Sequence, residues 1–292
     1  MQRFSYSVLS QKSVMVICLE TFRKICLFTI VLTAGLLSVG SVRAESPAAD
    51  QEEEIRQATT PTAKLSLDWW KARHEVKLLD RESRPIDIVF IGDSITHGWE
   101  VEFGEAGYGL AIPEETKQYY LEGAGRVVYD EYWKDRNVLN IGFGGDETQN
   151  LLWRLDNGAV DNIKPKMLVL MIGINNIGVS HHSARATAAG IKAVLNKIRE
   201  KLPETKIVLM AILPIRDKNG QERHVVNETN KIIEKFADNE TIFFLNMNDK
   251  FLDENEDILV RYMPEQVHPN ADGYRIWTKM LQPYYEKFVL KK

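Results

Sequence analysis

The chain has 292 residues, with 37 Lys and Arg against 41 Asp and Glu for a formal charge of −4, and 44% of it is hydrophobic. That length and apolar content suit one well-filled α/β domain. The mild acidity, with no dense basic patch, argues against a nucleic-acid partner.

In chain order, Arg3, Lys12, Arg23 and Lys24 precede an apolar run from Ile25 to Val39, and Val42-Arg43-Ala44 offers small residues to a signal peptidase. The pattern predicts a secretory signal over residues 1–44 and a secreted or periplasmic protein. An N-terminal membrane anchor is the competing reading, but the run is short against the ~20 residues that span a bilayer. The mature form is expected to have no stable membrane span. Cleavage after Ala44 leaves a formal charge of −8 and removes both cysteines, Cys18 and Cys26. A disulfide, a thiolate nucleophile and a Cys-ligated metal are then excluded. Residues 45–66, rich in Glu, Gln, Ala, Thr and Pro, read as a mobile polar tether. The folded domain is expected over 67–292.

A helix begins at Leu67, with Trp69, Trp70, Arg73 and Val76 as its apolar stripe and His74 as a surface or packing residue. Ile86 to Ile91 then reads as a buried parallel strand running into Gly92-Asp93-Ser94. Open α/β sheets place their chemistry at such strand ends. A serine there exposes its hydroxyl beside unpaired backbone N–H groups, although a plain helix cap has the same sequence. An excursion over about 99–125 follows, carrying Trp99, Tyr108, Tyr119 and Tyr120. Its position puts it at the rim of the same face, where these rings can stack on sugars or simply pack the insertion.

Arg126 to Arg136 reads as a helix with Val127, Val128 and Tyr132 inward, and Asn137 to Gly142 as the second strand. Phe143-Gly144-Gly145-Asp146 then exposes bare amides that can bind an oxyanion or merely turn the chain. After a helix from Gln149 to Leu155, the run from Pro165 to Gly173 is the most apolar strand and is expected in the middle of the sheet. The amides of Asn175 and Asn176 can donate to a developing negative oxygen or form an Asx turn. The adjacent His181 and His182 diverge, so no metal site is expected there. No cofactor is expected either.

Helices over 184–201, 224–236 and 272–289 alternate with strands over 206–214 and 241–245. The alternation predicts an α/β three-layer sandwich with a central, five-stranded parallel sheet and helices on both faces. On a proline-framed loop before the last helix, Glu265 is placed to hold one ring nitrogen of His268 and leave the other to take a proton from a serine.

Four blocks in order, Ile91-Gly92-Asp93-Ser94-Ile95-Thr96, Asn140-Ile141-Gly142-Phe143-Gly144-Gly145-Asp146, Gly173-Ile174-Asn175-Asn176 and Val267-His268-Pro269-Asn270, resemble the SGNH (GDSL-type) hydrolases. The branch they are most similar to is that of platelet-activating factor acetylhydrolase. The resemblance covers residues 68–289 and implies a flavodoxin-like strand order. It also implies Ser94 as nucleophile, His268 as general base, and an oxyanion hole of the Ser94 and Gly142 amides with the Asn175 side chain. The family's acid is usually an Asp; here Glu265 stands in that position, with Asp272 and Glu256 as alternatives. Asp93, Trp99, Gly144 and Asn176 are the candidate substrate contacts. The expected activity is hydrolysis of short-chain, acetyl esters, foremost on O-acetylated carbohydrate, with a small-molecule or polysaccharide ester as the partner. Acyl transfer on the same site and non-catalytic sugar binding are the alternatives, and a lipase activity ranks below them.

Overall fold

A computed structural model describes residues 47–101, 114–120 and 124–291. The expected signal, Tyr108 and most of the excursion lie outside these residues. Helix α1 (Pro47–Thr59) is followed by α2 (Asp68–Ser83), strand β1 (Ile88–Gly92), α3 (Ser94–His97), α4 (Arg126–Tyr132) and β2 (Val138–Gly142). Then come α5 (Thr148–Asp156), β3 (Met167–Met171), α6 (Ile174–Gly178), α7 (Ala184–Lys201), β4 (Lys206–Met210), α8 (Gln221–Ile233), β5 (Ile242–Leu245) and α9 (Ala271–Tyr285).

The five strands form one sheet in the order β2-β1-β3-β4-β5, and every pairing is parallel. The most apolar strand, β3, is the central one, as its composition predicts. Every residue of β1, β2 and β3 is buried, which is what a parallel sheet covered on both faces requires. The strand order reverses between β1 and β3, where open α/β sheets form a crevice at the strands' C-terminal ends. Gly92 lies at that edge, opposite Gly142 on one side and Met171 on the other.

Helices α5, α7 and α8 pack in series with α1 laid over α5 and α7, while α4 packs on α9. Phe90 projects from β1 into a buried aromatic cluster with Trp99 and Trp133, and Trp99 packs in turn on Tyr274 and Trp277. Among the described residues no helix is long and apolar enough to cross a membrane.

Three expectations need correction. Residues 47–59 are a helix docked on the domain, not a tether. The Ala58 carbonyl accepts from Thr148 Oγ1 at 2.7 Å, and Glu54 accepts from the Ser183 amide at 2.9 Å. The inward face of α2 is Trp70, His74, Lys77 and Arg81, whereas Trp69 and Val76 are exposed. This polar face is held inside by partners from other elements: Lys77 and Arg73 bind Glu100 at 2.6 and 2.8 Å. In α4, Val128 is buried while Val127 and Tyr132 are exposed; the neighbouring Trp133 fills the core position.

Candidate active site

Ser94 opens α3 directly after β1. The preceding Asp93 caps the helix, its Oδ1 accepting from the Ile95 amide at 3.0 Å. A tether from α9, Tyr274 Oη donating to the Ile95 carbonyl at 2.6 Å, fixes the turn from the other side. His268 arrives on the loop before α9. Asn270 caps that helix through its Oδ1, which accepts from the Gly273 amide at 3.1 Å.

The loop is closed by Glu265. Its Oε1 accepts from the His268 backbone amide at 2.6 Å and lies 2.7 Å from His268 Nδ1. With Nδ1–H donating to the carboxylate, Nε2 is the acceptor nitrogen, and it sits 2.8 Å from Ser94 Oγ. Only about a tenth of each of the His268 and Glu265 side chains is exposed. One glutamate oxygen thus meets both the amide and the ring. The two alternative acids lie elsewhere: Asp272 binds Arg275 at 2.9 Å in an exposed pair, and Glu256 is exposed on its own loop.

Asn175 stands in α6, just past the C-terminal end of β3, its Nδ2 donating to the Asp146 carbonyl at 2.9 Å. The amide thus rests on the loop that follows β2. The structure corrects the expected partner from that loop. The Gly142 amide is occupied within its own strand end, donating to Asn140 Oδ1 at 2.8 Å, and its carbonyl accepts from Arg73 Nε at 3.0 Å. Gly145, three residues further on, takes φ 71° and carries the turn beside Asn175. Sequence reasoning saw the run of glycines but not that Asn140 captures the first amide.

The other expected substrate contacts are structural. Trp99 is fully buried in the aromatic core. Asn176 is fully buried: its Oδ1 accepts from the Thr148 amide at 3.0 Å, and its Nδ2 lies 3.1 Å from Thr148 Oγ1. The Gly144 amide donates to His97 Nδ1 at 3.3 Å. Asp93 is buried, and burial raises its carboxyl to about 7 despite the Ile95 amide and the nearby His268, which act the other way. Of the His pair, His182 is buried between Asn176 and Gln57. Tyr119 is more than a third exposed, and its carbonyl accepts from Asn270 Nδ2 at 2.6 Å, two residues after His268.

A residue absent from the sequence reading, Arg154, supports the site together with Asp146, which closes the glycine block. Arg154 pairs with Asp146 at 2.8 Å, both fully buried. Arg154 also donates to the carbonyls of Ile141 at 2.9 Å and Gly92 at 3.3 Å. Arg154 has no signal in sequence beyond standing eight residues after that Asp, a spacing too common to mark a site.

A parallel α/β sheet with a carboxylate, imidazole and hydroxyl in series at its switch point defines a hydrolase of the serine type. The model of the GDSL-like Lipase/Acylhydrolase family matches residues 90–276, and the chain belongs to that family. It is 28% identical over 223 residues to the alpha2 subunit of platelet-activating factor acetylhydrolase IB from Rattus norvegicus, covering 75% of this chain and 83% of the relative. The human alpha1 subunit is 27% identical over 231 residues, 76% of this chain and 86% of the relative. The crystal structure of a GDSL-like lipase from Bacteroides thetaiotaomicron shares the fold, with a TM-score of 0.56 and 20% identity over 74% of this chain and 98% of that one. The protein is thus an SGNH-type hydrolase with esterase activity.

Proposed function

We propose that this protein is an exported serine esterase that removes short acyl groups, acetyl foremost, from a carbohydrate alcohol. The observation that carries the reading is the unbroken series from Glu265 through His268 to Ser94, with contacts of 2.7 and 2.8 Å. His268 Nε2 takes the Ser94 proton as Oγ attacks the ester carbonyl. The charge on the carbonyl oxygen is met by the Asn175 amide with the backbone amides of Ser94 and Gly145. His268 then gives its proton to the departing alcohol. Water, deprotonated by the same nitrogen, releases the acyl group from Ser94. Glu265 holds the imidazole tautomer and balances the imidazolium.

The acetyl preference is supported by the acetylhydrolase relatives. The carbohydrate alcohol is supported by the N-terminal export pattern and by Tyr119, an exposed ring beside the His268 loop. The burial of Trp99 removes one of the rings first expected to stack on a sugar.

The test is hydrolysis of p-nitrophenyl acetate, butyrate and octanoate, together with acetate release from an acetylated xylan. Parent protein is compared with Ser94→Ala, Glu265→Gln and Asp272→Ala. The expected result is acetate turnover abolished by Ser94→Ala, lowered by about 10³- to 10⁴-fold by Glu265→Gln, and kept by Asp272→Ala. Parental turnover in Ser94→Ala ends the serine-esterase reading. Octanoate preferred over acetate, or no acetate from xylan, ends the substrate assignment. Acetyl found on an added sugar acceptor rather than free identifies a transferase.

A further inference from the structure

Gly144 and Gly145 are the middle residues of a four-residue turn, closed by the Asp146 amide donating to the Phe143 carbonyl at 3.1 Å. Positive φ occurs at Gly145, 71°, and not at Gly144, which is the type II arrangement. Types I and II differ chiefly in the orientation of the peptide between the two middle residues. Turning that peptide over reverses the direction of the Gly145 N–H. Neither glycine has a Cβ to oppose the rotation, so what holds it must come from outside the turn.

Two side chains grip the peptide units on either side. His97 Nδ1, one turn after Ser94 in α3, accepts from the Gly144 amide at 3.3 Å. Lys64 Nζ donates to the Gly145 carbonyl at 2.5 Å. Lys64 is itself held in place: two residues before it, Thr62 donates its amide to the Gln149 carbonyl at 2.9 Å, and Asn150 Nδ2 donates to the Thr62 carbonyl at 2.9 Å. Lys64 precedes the 90–276 segment matched by the family model, in the stretch that sequence alone suggests is a tether.

We propose that Lys64 and His97 are positioning residues that clamp the glycine turn in its type II form and so keep the Gly145 N–H aimed at the oxyanion. The inference rests on the esterase reading above, with Gly145 as an oxyanion donor. Burial, with the charges of Arg73, Lys77 and Arg154 adding to it, lowers the His97 imidazole to about 3. The ring is therefore neutral at working pH, and Nδ1 keeps the lone pair that the Gly144 amide needs. Lys64 touches no reacting atom. It acts on the far side of the rotating peptide, and by this geometry the N-terminal segment becomes part of the catalytic scaffold.

The experiment compares kcat, KM and Tm of the full chain on p-nitrophenyl acetate for the parent, Lys64→Met, Lys64→Arg, His97→Leu, His97→Gln and Ser94→Ala. Lys64→Met and His97→Leu are expected to lower kcat by about 10- to 100-fold with KM changed by less than about 2-fold. Lys64→Arg restores the donor and His97→Gln the acceptor, and each is expected to recover most of the loss. Because the contact of Lys64 is exposed while that of His97 is part-buried, Lys64 decides the matter. A Lys64→Met kcat within about 2-fold of the parent, with Ser94→Ala inactive, overturns the clamp and leaves the esterase standing. A kcat loss that tracks a fall in Tm and is not restored by Lys64→Arg also overturns it. Parental turnover in Ser94→Ala removes the esterase reading and the clamp together.

Discussion

Arg154 and Asp146 meet at 2.8 Å with neither side chain exposed, and the same guanidinium reaches the carbonyl of Gly92, two residues before the serine. Burial is the largest influence on both partners, raising the Asp146 carboxyl and lowering the Arg154 guanidinium, with their mutual attraction second. A pair whose desolvation outweighs its attraction adds little net stability, but leaving one member alone is costly. Its value here is positional, since it joins the ends of β1 and β2 to the loop carrying Gly145. Arg154→Leu is expected to cost about 3–5 kcal/mol, a fall in Tm on the order of 10 °C. The double variant Arg154→Leu/Asp146→Asn is expected to lose less than the sum of the single changes. Thermal melts of the three proteins check this, and strict additivity would remove the pair from the argument.

Asp93 supplies a pH dependence. Its folded-state carboxyl titrates at about 7 because it is buried, with Oδ2 lacking a hydrogen-bond partner among the described residues. The neighbouring charges are His268, which lowers it, and Asp146, which raises it. In the unfolded chain the group titrates near its ordinary value, about 4. Between those two values the folded state holds a proton that the unfolded state has released, so stability falls as pH rises across the window. Asp93→Asn keeps the Oδ1 cap and cannot ionise. Relative to the parent, its Tm should therefore be higher at pH 8 than at pH 5. Melts at the two pH values decide it: an equal offset at both would mean that Asp93 is not the titrating group.

Asn175, a proposed oxyanion donor, and Gly142, expected as one from sequence, separate by the kind of damage their substitution does. Asn175→Ala removes the amide that the proposed mechanism assigns to the oxyanion and should lower kcat by about 10²- to 10³-fold, with a small change in KM. Gly142→Ala should act on folding instead. An added Cβ there would sit 2.2 Å from the His97 backbone nitrogen and 2.5 Å from the Thr96 carbonyl carbon, and backbone cannot give way as a side chain does. Soluble yield and Tm are the readouts for Gly142→Ala, and kcat is the readout for Asn175→Ala. A well-folded Gly142→Ala protein with selectively lost kcat would return Gly142 to the oxyanion hole.

The sheet was legible because its strands are short, almost wholly buried and separated by amphipathic helices, a pattern written in hydropathy alone. Ser94, His268 and Glu265 were legible because each sits beside a strand end or a helix start that the sequence marks with Gly, Pro or Asn. What was not legible depends on capture by distant side chains. Asn140 takes the Gly142 amide, the aromatic core takes Trp99, and Thr148 takes Asn176. A polar helix such as α1 looks unfit to dock when only its composition is read. Its partners on the domain are themselves polar, so no apolar stripe announces the contact.

That docking makes the last prediction. Gly190 in α7 lies directly beneath α1: a Cβ there would approach Thr148 Oγ1 to 2.3 Å and the Ala58 carbonyl oxygen to 2.9 Å. Thr148 can rotate, but doing so breaks its hydrogen bond to Ala58. Gly190→Ala should therefore push α1 off the domain while α7 itself, where alanine is the better helix former, stays intact. The expected outcome is a chain cut readily by protease within residues 47–67, with the remainder resistant and the far-ultraviolet helical signal nearly unchanged. In the parent the same residues should resist cleavage. Equal protection in both proteins would show that α1 tolerates the added methyl, and rapid cleavage in both would show that it does not hold to the domain in solution.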